Sequence, residues 1–384
     1  MHILCISHEF PPVGGGGATA CQNITRSLER EGNSITVVTS AYKESQLKEE
    51  LDGISIVRVK CKRKSADHSS FSEMLSFLIS AWRTIPGMLR REHYDACLIF
   101  FGIPSGPLGL YLKKKYHIPY IVRMGGGDIP GSQKRFDKVY KVIAPILKSV
   151  WRNAIAVVAN SSAMETKAKA FFNQCRFAMI PNGVDASRYL SRRSSDVFRL
   201  ITVCRIIEGK GVQHVIKALP ALVKATNGKL SYTIVGDGPY RTQIELLAKE
   251  LKIEHFVSII GMVEREKVPG YLAASDVFVF PSHSEGMPNV VLEAMAAGLP
   301  VVMTDCGGSK ELIGDNGIVV PLSGDVDKGV EKSILKLLND KALRERMGEA
   351  SRMRVEVDFS WETNASQYRR LFAEVHSKGE AANG

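Results

Sequence analysis

Two glutamates bracket the start of a predicted helix in the second half of the chain. Glu285 lies in a polar loop, and Glu293 lies eight residues later in an apolar stretch that follows Pro288. Ionised carboxylates accept hydrogen bonds from neighbouring hydroxyl groups, so each glutamate suits a hydroxyl-rich ligand. The N–H groups and the positive dipole end at a helix start favour a phosphate. The pattern therefore predicts a bound diphosphate with a sugar at one end and a ribose at the other.

The sequence also predicts the elements that must position these groups. Residues 277–280 form an apolar run typical of a buried strand, and residues 290–297 favour a helix that Gly298 and Pro300 end. Pro288 suits the first turn of this helix, where its missing N–H costs nothing. Ligands of open α/β sheets bind at the carboxyl ends of the strands, and the loop with Glu285 lies at such an end.

The loop and helix resemble a known motif. Their sequence, PSHSEGMPNVVLEAMAAGLPVV at residues 281–302, is similar to the E-x7-E motif of the retaining glycosyltransferases of family 4. The resemblance covers nearly the whole chain and implies an α/β fold of GT-B architecture, with two Rossmann-like domains facing an interdomain cleft. It implies transfer of a sugar from a nucleotide-sugar to an acceptor hydroxyl, with retention at the anomeric carbon.

The chain is long enough for this architecture, because 384 residues suffice for two α/β domains of ordinary size. The resemblance implies an N-terminal acceptor-binding domain at residues 1–186 and a linker at residues 187–198. A C-terminal nucleotide-sugar-binding domain would follow at residues 199–358. The last segment, residues 359–384, is expected to form a helix that returns to the first domain.

The resemblance also implies roles for individual residues. Glu285 would contact the transferred sugar, and Arg205 and Lys210 would hold the diphosphate and stabilise it as it departs. These three residues are the predicted catalytic set. The residues predicted to bind the donor are Gly15, Gly16, Met262, Gly286, Met287, Pro288, Asn289, Leu292, Glu293, Gly307 and Gly308.

Two glycine-rich loops in the first half of the chain need separate interpretation. The loop at residues 14–17 follows the first strand, but Thr19 replaces the third glycine of a dinucleotide fingerprint, and no acidic residue ends the second strand. An NAD site is therefore rejected. In the other loop, Gly125 stands where many family 4 enzymes have a histidine, and Asp128 is the nearest polar residue. Both are assigned to the acceptor side.

All of the net positive charge lies in the first half of the chain. Residues 1–190 contain 26 Lys and Arg against 15 Asp and Glu, whereas residues 191–384 contain 25 of each. Basic clusters occur at residues 60–64 and 113–115 and along a predicted amphipathic helix at residues 133–153. We expect this half to dock on an anionic membrane and reach a lipid-linked acceptor, without binding nucleic acid. The alternatives are a solvated surface or a basic cleft for a soluble phosphorylated acceptor.

The remaining features of the sequence predict a cytoplasmic protein, peripheral on the cytoplasmic face of the membrane. No run of about 18 apolar residues is present. The first residues lack the charged start and long apolar core of a signal peptide. The seven cysteines are scattered without a C-x-x-C pair, which is typical of reduced thiols.

No metal or other cofactor is expected. Asp325 and Asp327 form a D-x-D sequence, but they precede an apolar-periodic helix and are interpreted as a helix cap. The nucleotide-sugar, linked to UDP or GDP, would be a substrate. Two other functions stay open: a GT-B-fold epimerase or hydrolase acting on a nucleotide-sugar, and a catalytically silent subunit that binds one. Product analysis distinguishes the three.

Overall fold

The computed structural model describes residues 1–66, 69–125, 127, 129–130, 137–189 and 196–382. The chain forms two compact units, one made of Met1–Asn182 with Trp361–Gly384 and the other of Gly183–Ser360. Each described unit contains a largely parallel sheet with helices on both of its faces, which confirms the predicted α/β class. Within the predicted linker, residues 190–195 lie outside the described residues, and Tyr189 is buried in the second unit.

The described strands of the first unit form one sheet in the order β3-β4-β2-β1-β5-β6-β7-β8. Neighbouring strands are parallel except for the antiparallel pair β3 and β4. The strands are β1 His2–Ile6, β2 Ser34–Ser40, β3 Lys48–Leu51, β4 Ile54–Val59, β5 Ala96–Phe100, β6 Tyr120–Arg123, β7 Val157–Ala159 and β8 Phe177–Met179.

Continuous apolar runs produce these strands because both faces of the sheet are covered. In β1, Leu4 and Ile6 pack into one core, while Ile3 and Cys5 pack into the core on the opposite face. Five helices of this unit precede the second unit in the chain: α1 Gly16–Arg30, α2 Phe71–Leu89, α3 Gly106–Tyr116, α4 Asp137–Asn153 and α5 Ser162–Phe171.

Helix α2 contains a proline in its last turn. A capping box between Ser70 and Glu73 begins α2, and the helix continues through Pro86 to Leu89. The buried Ile85 anchors this last turn in the core, which compensates for the hydrogen bond that proline removes. The described part of α4 begins at Asp137, and residues 131–136 lie outside the described residues.

The described strands of the second unit form a parallel sheet in the order β11-β10-β9-β12-β13-β14. These strands are β9 Phe198–Val203, β10 Leu230–Val235, β11 Val257–Gly261, β12 Val277–Phe280, β13 Val301–Thr304 and β14 Gly317–Val320. The helices are α6 Val212–Ala225, α7 Arg241–Glu250, α8 Val268–Ala273, α9 Asn289–Ala296, α10 Ser309–Leu312, α11 Val326–Asn339 and α12 Lys341–Asp358.

The last helix, α13 Trp361–Ala382, belongs to the first unit. It packs along α1 and buries Trp361, Tyr368 and Phe372. The hydroxyl of Tyr368 accepts a hydrogen bond of 2.8 Å from Arg123, which is buried and also bonds to Asn182. Arg123 is the last residue of β6 and precedes the second glycine-rich loop. Because its guanidinium bonds to Tyr368 and Asn182, it stabilises the core of this unit.

Candidate active site

The sheet of the second unit has a topological switch point between β9 and β12. From β9 the chain continues to β10 on one side, whereas β12 continues to β13 on the other. Because β9, β12 and β13 are neighbours, the loops at their carboxyl ends lie side by side. Open α/β sheets bind their ligands at such a point. The loops after β12 and β13 carry five of the eleven predicted donor-binding residues: Gly286, Met287, Pro288, Gly307 and Gly308.

Two of the predicted catalytic residues meet directly in these loops. The Lys210 ammonium lies 2.5 Å from Oε1 of Glu285, and both side chains are mostly buried. The Ser282 hydroxyl lies 2.7 Å from the same carboxylate oxygen. Lys210 also lies over the ring of Phe280, 5.4 Å from its centroid. The arrangement fixes one carboxylate and one ammonium at the carboxyl ends of β9 and β12, where hydroxyls and phosphates would each find a partner.

Close backbone contact holds the Lys210 loop against the Glu285 loop. A 3-10 helix, Glu208–Lys210, ends at Gly211, whose φ of 72° is in the left-handed region that favours glycine. A Cβ on Gly211 would lie 1.9 Å from the carbonyl oxygen of Pro281. The N–H of His283 donates to the carbonyl of Gly209 at 2.9 Å. The position of Lys210 therefore depends on the loop after β12.

The predicted glycine pair after β13 contacts the same loop from its other side. A Cβ on Gly307 would lie 2.4 Å from the carbonyl oxygen of Glu285 and 2.6 Å from that of Gly286. At Gly308 the nearest atom to such a Cβ would be the Gly286 oxygen, at 3.2 Å. At position 307 only glycine allows the backbones to approach so closely. Met287 is buried beside Gly308 and fills the space beneath the loop.

Helix α9 begins one residue earlier than the sequence predicted. Asn289 is its first residue, and Pro288 precedes it as the capping residue, with φ −75° and ψ 114°. The side chain of Pro288 makes no capping hydrogen bond, and the first turn contains no acidic residue. The helix start therefore keeps its positive dipole end available for an anion beside Gly286.

The second glutamate of the motif lies inside α9. Glu293 is 8% exposed, and its Oε1 lies 3.2 Å from the Arg265 guanidinium. Burial raises the pKa of Glu293, and the charge of Arg265 counters part of this effect. The neighbouring Leu292, which was also predicted to bind the donor, is fully buried in the core, so its side chain packs against apolar neighbours.

The other predicted residues of the second unit are more exposed. Arg205 lies two residues after β9, is exposed, and makes no ion pair within the part of the chain that the structure describes. Met262 follows β11 and is 79% exposed. A solvent-facing methionine of this size is an apolar surface against which a flat ring can pack. Both residues are accessible to a ligand at the edge of this sheet.

The first unit has its own switch point, between β1 and β5. The predicted donor residues Gly15 and Gly16 lie there, at the start of α1. The ring of Phe101, at the end of β5, fills the neighbouring space: Cβ atoms on Gly17 and Gly125 would lie 2.7 Å and 2.2 Å from it. A histidine at position 125 would therefore require Phe101 to move. Asp128 lies outside the described residues.

Sequence reasoning missed several residues that complete these sites. His8 packs against Phe101 with 4.6 Å between ring centroids. Its burial, together with the charge of Arg63, lowers the pKa of His8 to about 3, so the imidazole is neutral. Ser282 and Arg265 were not singled out either. The spacing of Ser282 from Glu285 in one loop was a usable signal, whereas Arg265 has none in the sequence.

Comparison with known proteins extends these observations. The model of glycosyltransferase family 4 matches residues 14–188, and the model of glycosyl transferases group 1 matches residues 188–354. Among the relatives is a GDP-mannose-dependent α-(1-6)-phosphatidylinositol monomannoside mannosyltransferase of Mycobacterium tuberculosis. It is 25% identical to this chain, and the match spans 95% of this chain and 96% of the relative.

Solved structures show the same fold. Sucrose-phosphate synthase of Thermosynechococcus elongatus matches with a TM-score of 0.82 at 20% identity, over 98% of this chain and 100% of that chain. Anabaena HepE in complex with UDP-glucose matches with a TM-score of 0.73, also at 20% identity, over 98% and 100% of the two chains. At this identity the likeness establishes the fold, which is the predicted GT-B fold.

Proposed function

The chain belongs to the family 4 glycosyltransferases with the GT-B fold, and we propose that it transfers a hexose-type sugar from a nucleotide-sugar to an acceptor hydroxyl with retention. The observation that carries the proposal is the contact between Lys210 and Glu285 at the switch point of the second unit. It supplies an acceptor for sugar hydroxyls and a cation for a diphosphate within one small site.

On this proposal the chemistry needs little from the protein beyond positioning and charge. The bond between the anomeric carbon and the phosphate oxygen breaks while the acceptor oxygen bonds to the same face of that carbon. The acceptor proton passes to the departing phosphate oxygen. Lys210 and Arg205 stabilise the negative charge that develops on the diphosphate, and Glu285 holds the sugar through its hydroxyls. These roles of Lys210, Arg205 and Glu285 fit their positions in the second unit, since Arg205 is exposed and the other two side chains are partly exposed.

A donor screen tests the proposal. Purified protein is incubated with UDP- and GDP-linked sugars and an acceptor extract, and release of free nucleotide is measured together with the products. A new glycoside with the anomeric configuration of the donor supports the proposal. Free sugar or an epimer would instead identify a hydrolase or an epimerase, and nucleotide-sugar binding without turnover would identify a silent subunit.

We expect transfer to continue without a divalent metal. Both carboxylates of the D-x-D sequence have protein partners: Asp325 accepts from the Lys328 N–H at 3.1 Å as a helix cap, and Asp327 bonds to His214 and Lys217. Lys210 and Arg205 supply the charge that a metal would otherwise provide. Activity in excess EDTA should equal that in buffer. Loss of activity in EDTA that Mn²⁺ or Mg²⁺ restores would contradict this expectation.

We further propose that the first unit docks on an anionic membrane, where a lipid-linked acceptor would lie. Three of its helices, α2, α3 and α4, bury residues in the same core and therefore cover the same face of the sheet. On that outer surface α2 exposes an apolar stripe, defined as Phe71, Leu75, Ile79 and Trp82. Each of these side chains is 40–46% exposed. Their spacing of four, four and three residues places them on one side of the helix.

Basic residues lie along both flanks of the apolar stripe. On one flank the segment with the exposed Lys60 and Lys62 runs beside α2, because the Lys62 N–H donates to Ser76 and Ser80 donates to the Lys60 carbonyl. On the other flank Trp82 packs against Tyr111 of α3, which ends in the exposed lysines 113–115. Apolar residues between basic ones are typical of surfaces that lie in the interface of anionic lipid.

Among the described helices, none combines the length and the apolar character needed to cross a bilayer. The proposal is therefore for a surface contact. Helix α4 packs against α3 and exposes Val142 and Ile146 next to Lys141, which adds apolar and basic side chains to this side of the unit. Burying half-exposed Leu and Ile side chains in lipid adds an apolar contribution that salt does not screen, in addition to about 1 kcal/mol per basic residue near the surface.

The double variant Leu75→Glu/Ile79→Glu should bind anionic vesicles at least about tenfold more weakly than the wild type, because both side chains lose their apolar contact. Binding is measured by co-sedimentation with equal parts phosphatidylglycerol and phosphatidylcholine, and the emission of Trp82 should shift to shorter wavelength on binding. Leu246→Glu, at a residue that is 60% exposed on α7 of the second unit, is the matched control and should bind like the wild type.

Varying the salt concentration and the lipid charge separates the electrostatic and the apolar contributions to vesicle binding. Raising the salt should weaken binding of the wild type, because screening acts over ~8 Å at physiological ionic strength. Equal binding to anionic and to pure phosphatidylcholine vesicles would exclude the electrostatic part. No vesicle binding at any salt, with full activity on a water-soluble acceptor, would favour a basic site for a soluble phosphorylated acceptor.

A further inference from the structure

Three side chains from three elements of the second unit form a line of hydrogen bonds beside the proposed site. Nδ1 of His214 on α6 lies 2.5 Å from Oδ1 of Asp327 on α11. Its Nε2 lies 2.9 Å from Nε2 of His283, which belongs to the loop after β12. The two rings are stacked, with 5.1 Å between centroids. The proposed reaction assigns no role to any of the three residues.

The charge of Asp327 sets the direction of these hydrogen bonds. Burial raises the pKa of Asp327, but the hydrogen bonds from Lys217 and His214 outweigh it and hold the pKa below its ordinary value. The ionised carboxylate can only accept, so in its neutral form His214 carries its proton on Nδ1. Its Nε2 then has a lone pair, and the proton between the rings belongs to His283. The remaining nitrogen of His283, Nδ1, is left as an acceptor.

The chain of hydrogen bonds ends on the loop that carries Glu285. His283 lies two residues before Glu285, and its N–H bonds to the carbonyl of Gly209, which precedes Lys210. The side chain of His283 is thus anchored to α6 and α11, while its backbone joins the two loops that present the Lys210–Glu285 pair. A shift of His283 reaches Glu285 over two peptide units, and it reaches Lys210 through the hydrogen bond to Gly209 and one peptide unit.

We propose that Asp327 and His214 are positioning residues, which act through His283 to hold the Glu285 loop and the Lys210 loop in the geometry that sugar transfer needs. The inference rests on the proposed transferase function for its kinetic consequences. Its structural content, a fixed tautomer at His283, is independent of that function.

Protonation of the histidine pair would reverse the hydrogen bond between His214 and His283. If the histidine pair gains one proton, His214 donates from both nitrogens, Nε2 of His283 becomes an acceptor, and the outer Nδ1 of His283 becomes a donor. The exposed face of the loop then presents the opposite hydrogen-bonding character to a ligand. The charged groups on the elements around the two rings are Lys217 on α6, Asp325, Asp327 and Lys328 on α11, and Glu208, Lys210 and Glu285 on the loops.

Variants at His283 test the positioning role. A glutamine N–H can donate to His214 as the imidazole does, whereas leucine has a similar size and no donor. We expect His283→Gln to keep kcat within about twofold, and His283→Leu to lose about tenfold in kcat with little change in donor KM. A merely structural role predicts equal activity for the two variants. That outcome would overturn the proposal even if both melt at the wild-type temperature.

Asp327→Asn tests the direction of the hydrogen bonds without requiring turnover. In the wild type, ¹⁵N NMR of the histidine rings should show His283 with its proton on Nε2. In Asp327→Asn both tautomers of His283 should appear. Asp325→Asn is the matched control, because it removes a charge from the same helix end and leaves the hydrogen bonds among Asp327, His214 and His283 intact.

An unchanged His283 spectrum in Asp327→Asn would overturn the inference. If the wild type turns over no nucleotide-sugar at all, the proposed function fails, but the ring spectra still decide whether Asp327 controls His283. The two failures are therefore distinguishable.

Discussion

Replacing Glu285 by glutamine is expected to lower kcat by about 10²–10³-fold, whereas Glu293→Gln should raise donor KM and leave kcat within a few-fold. The Glu285 carboxylate lies 2.5 Å from the Lys210 ammonium, and on the proposed mechanism this is where the sugar and the departing diphosphate meet. Charge develops at this point only during reaction, and losing an interaction made there lowers kcat. Glu293 is assigned to the ribose, whose contacts change little as the sugar departs.

The contacts of Glu293 make the glutamine variant a fair comparison. Its carboxylate is buried and pairs with Arg265 at 3.2 Å, and burial already favours its neutral form. An uncharged amide of the same shape should therefore be tolerated without collapse of α9. Initial rates over a range of donor concentrations separate kcat from KM. A fall in kcat for Glu293→Gln with donor KM unchanged would contradict the assignment of the two glutamates.

The sequence predicted β12 and α9 because each has a strong local signal. Buried parallel strands are continuous apolar runs, and residues 277–280 form such a run. The prediction missed β3, whose residues 48–51 read Lys-Glu-Glu-Leu and have low strand propensity. That strand forms because Asp52 and Gly53 both adopt positive φ in a tight turn that returns the chain alongside β4. The Asp-Gly pair was the available signal.

Contacts within the site were less predictable than the elements that carry it. Nothing local to Glu293 indicates Arg265 as its partner, and His214 and His283 are 69 residues apart. Such pairs depend on which strand ends become neighbours, and this order is a property of the whole sheet. The absence of a histidine at Gly125 was visible in the sequence, but the ring of Phe101 that occupies the neighbouring space was seen only in the structure.

The close approach at Gly211 leads to the second large effect. Gly211→Ala should destabilise the second unit by about 3 kcal/mol, from left-handed backbone strain of ~1 kcal/mol and from overpacking of about 1–3 kcal/mol. The new Cβ would lie 1.9 Å from the Pro281 carbonyl oxygen, so the loop after β12 must move. That movement separates Lys210 from Glu285, and we expect sugar transfer to fall at least about tenfold with it.

Gly209→Ala is the matched control for stability, since a Cβ at Gly209 would meet nothing within 4 Å and lies only two residues away in the same loop. Thermal unfolding of the two variants and the wild type measures the difference. Gly209→Ala should melt like the wild type, whereas Gly211→Ala should melt several degrees lower. Equal melting temperatures for the two variants would mean that the loops accommodate a Cβ at Gly211. The contact between Gly211 and Pro281 would then not be what sets the distance between Lys210 and Glu285.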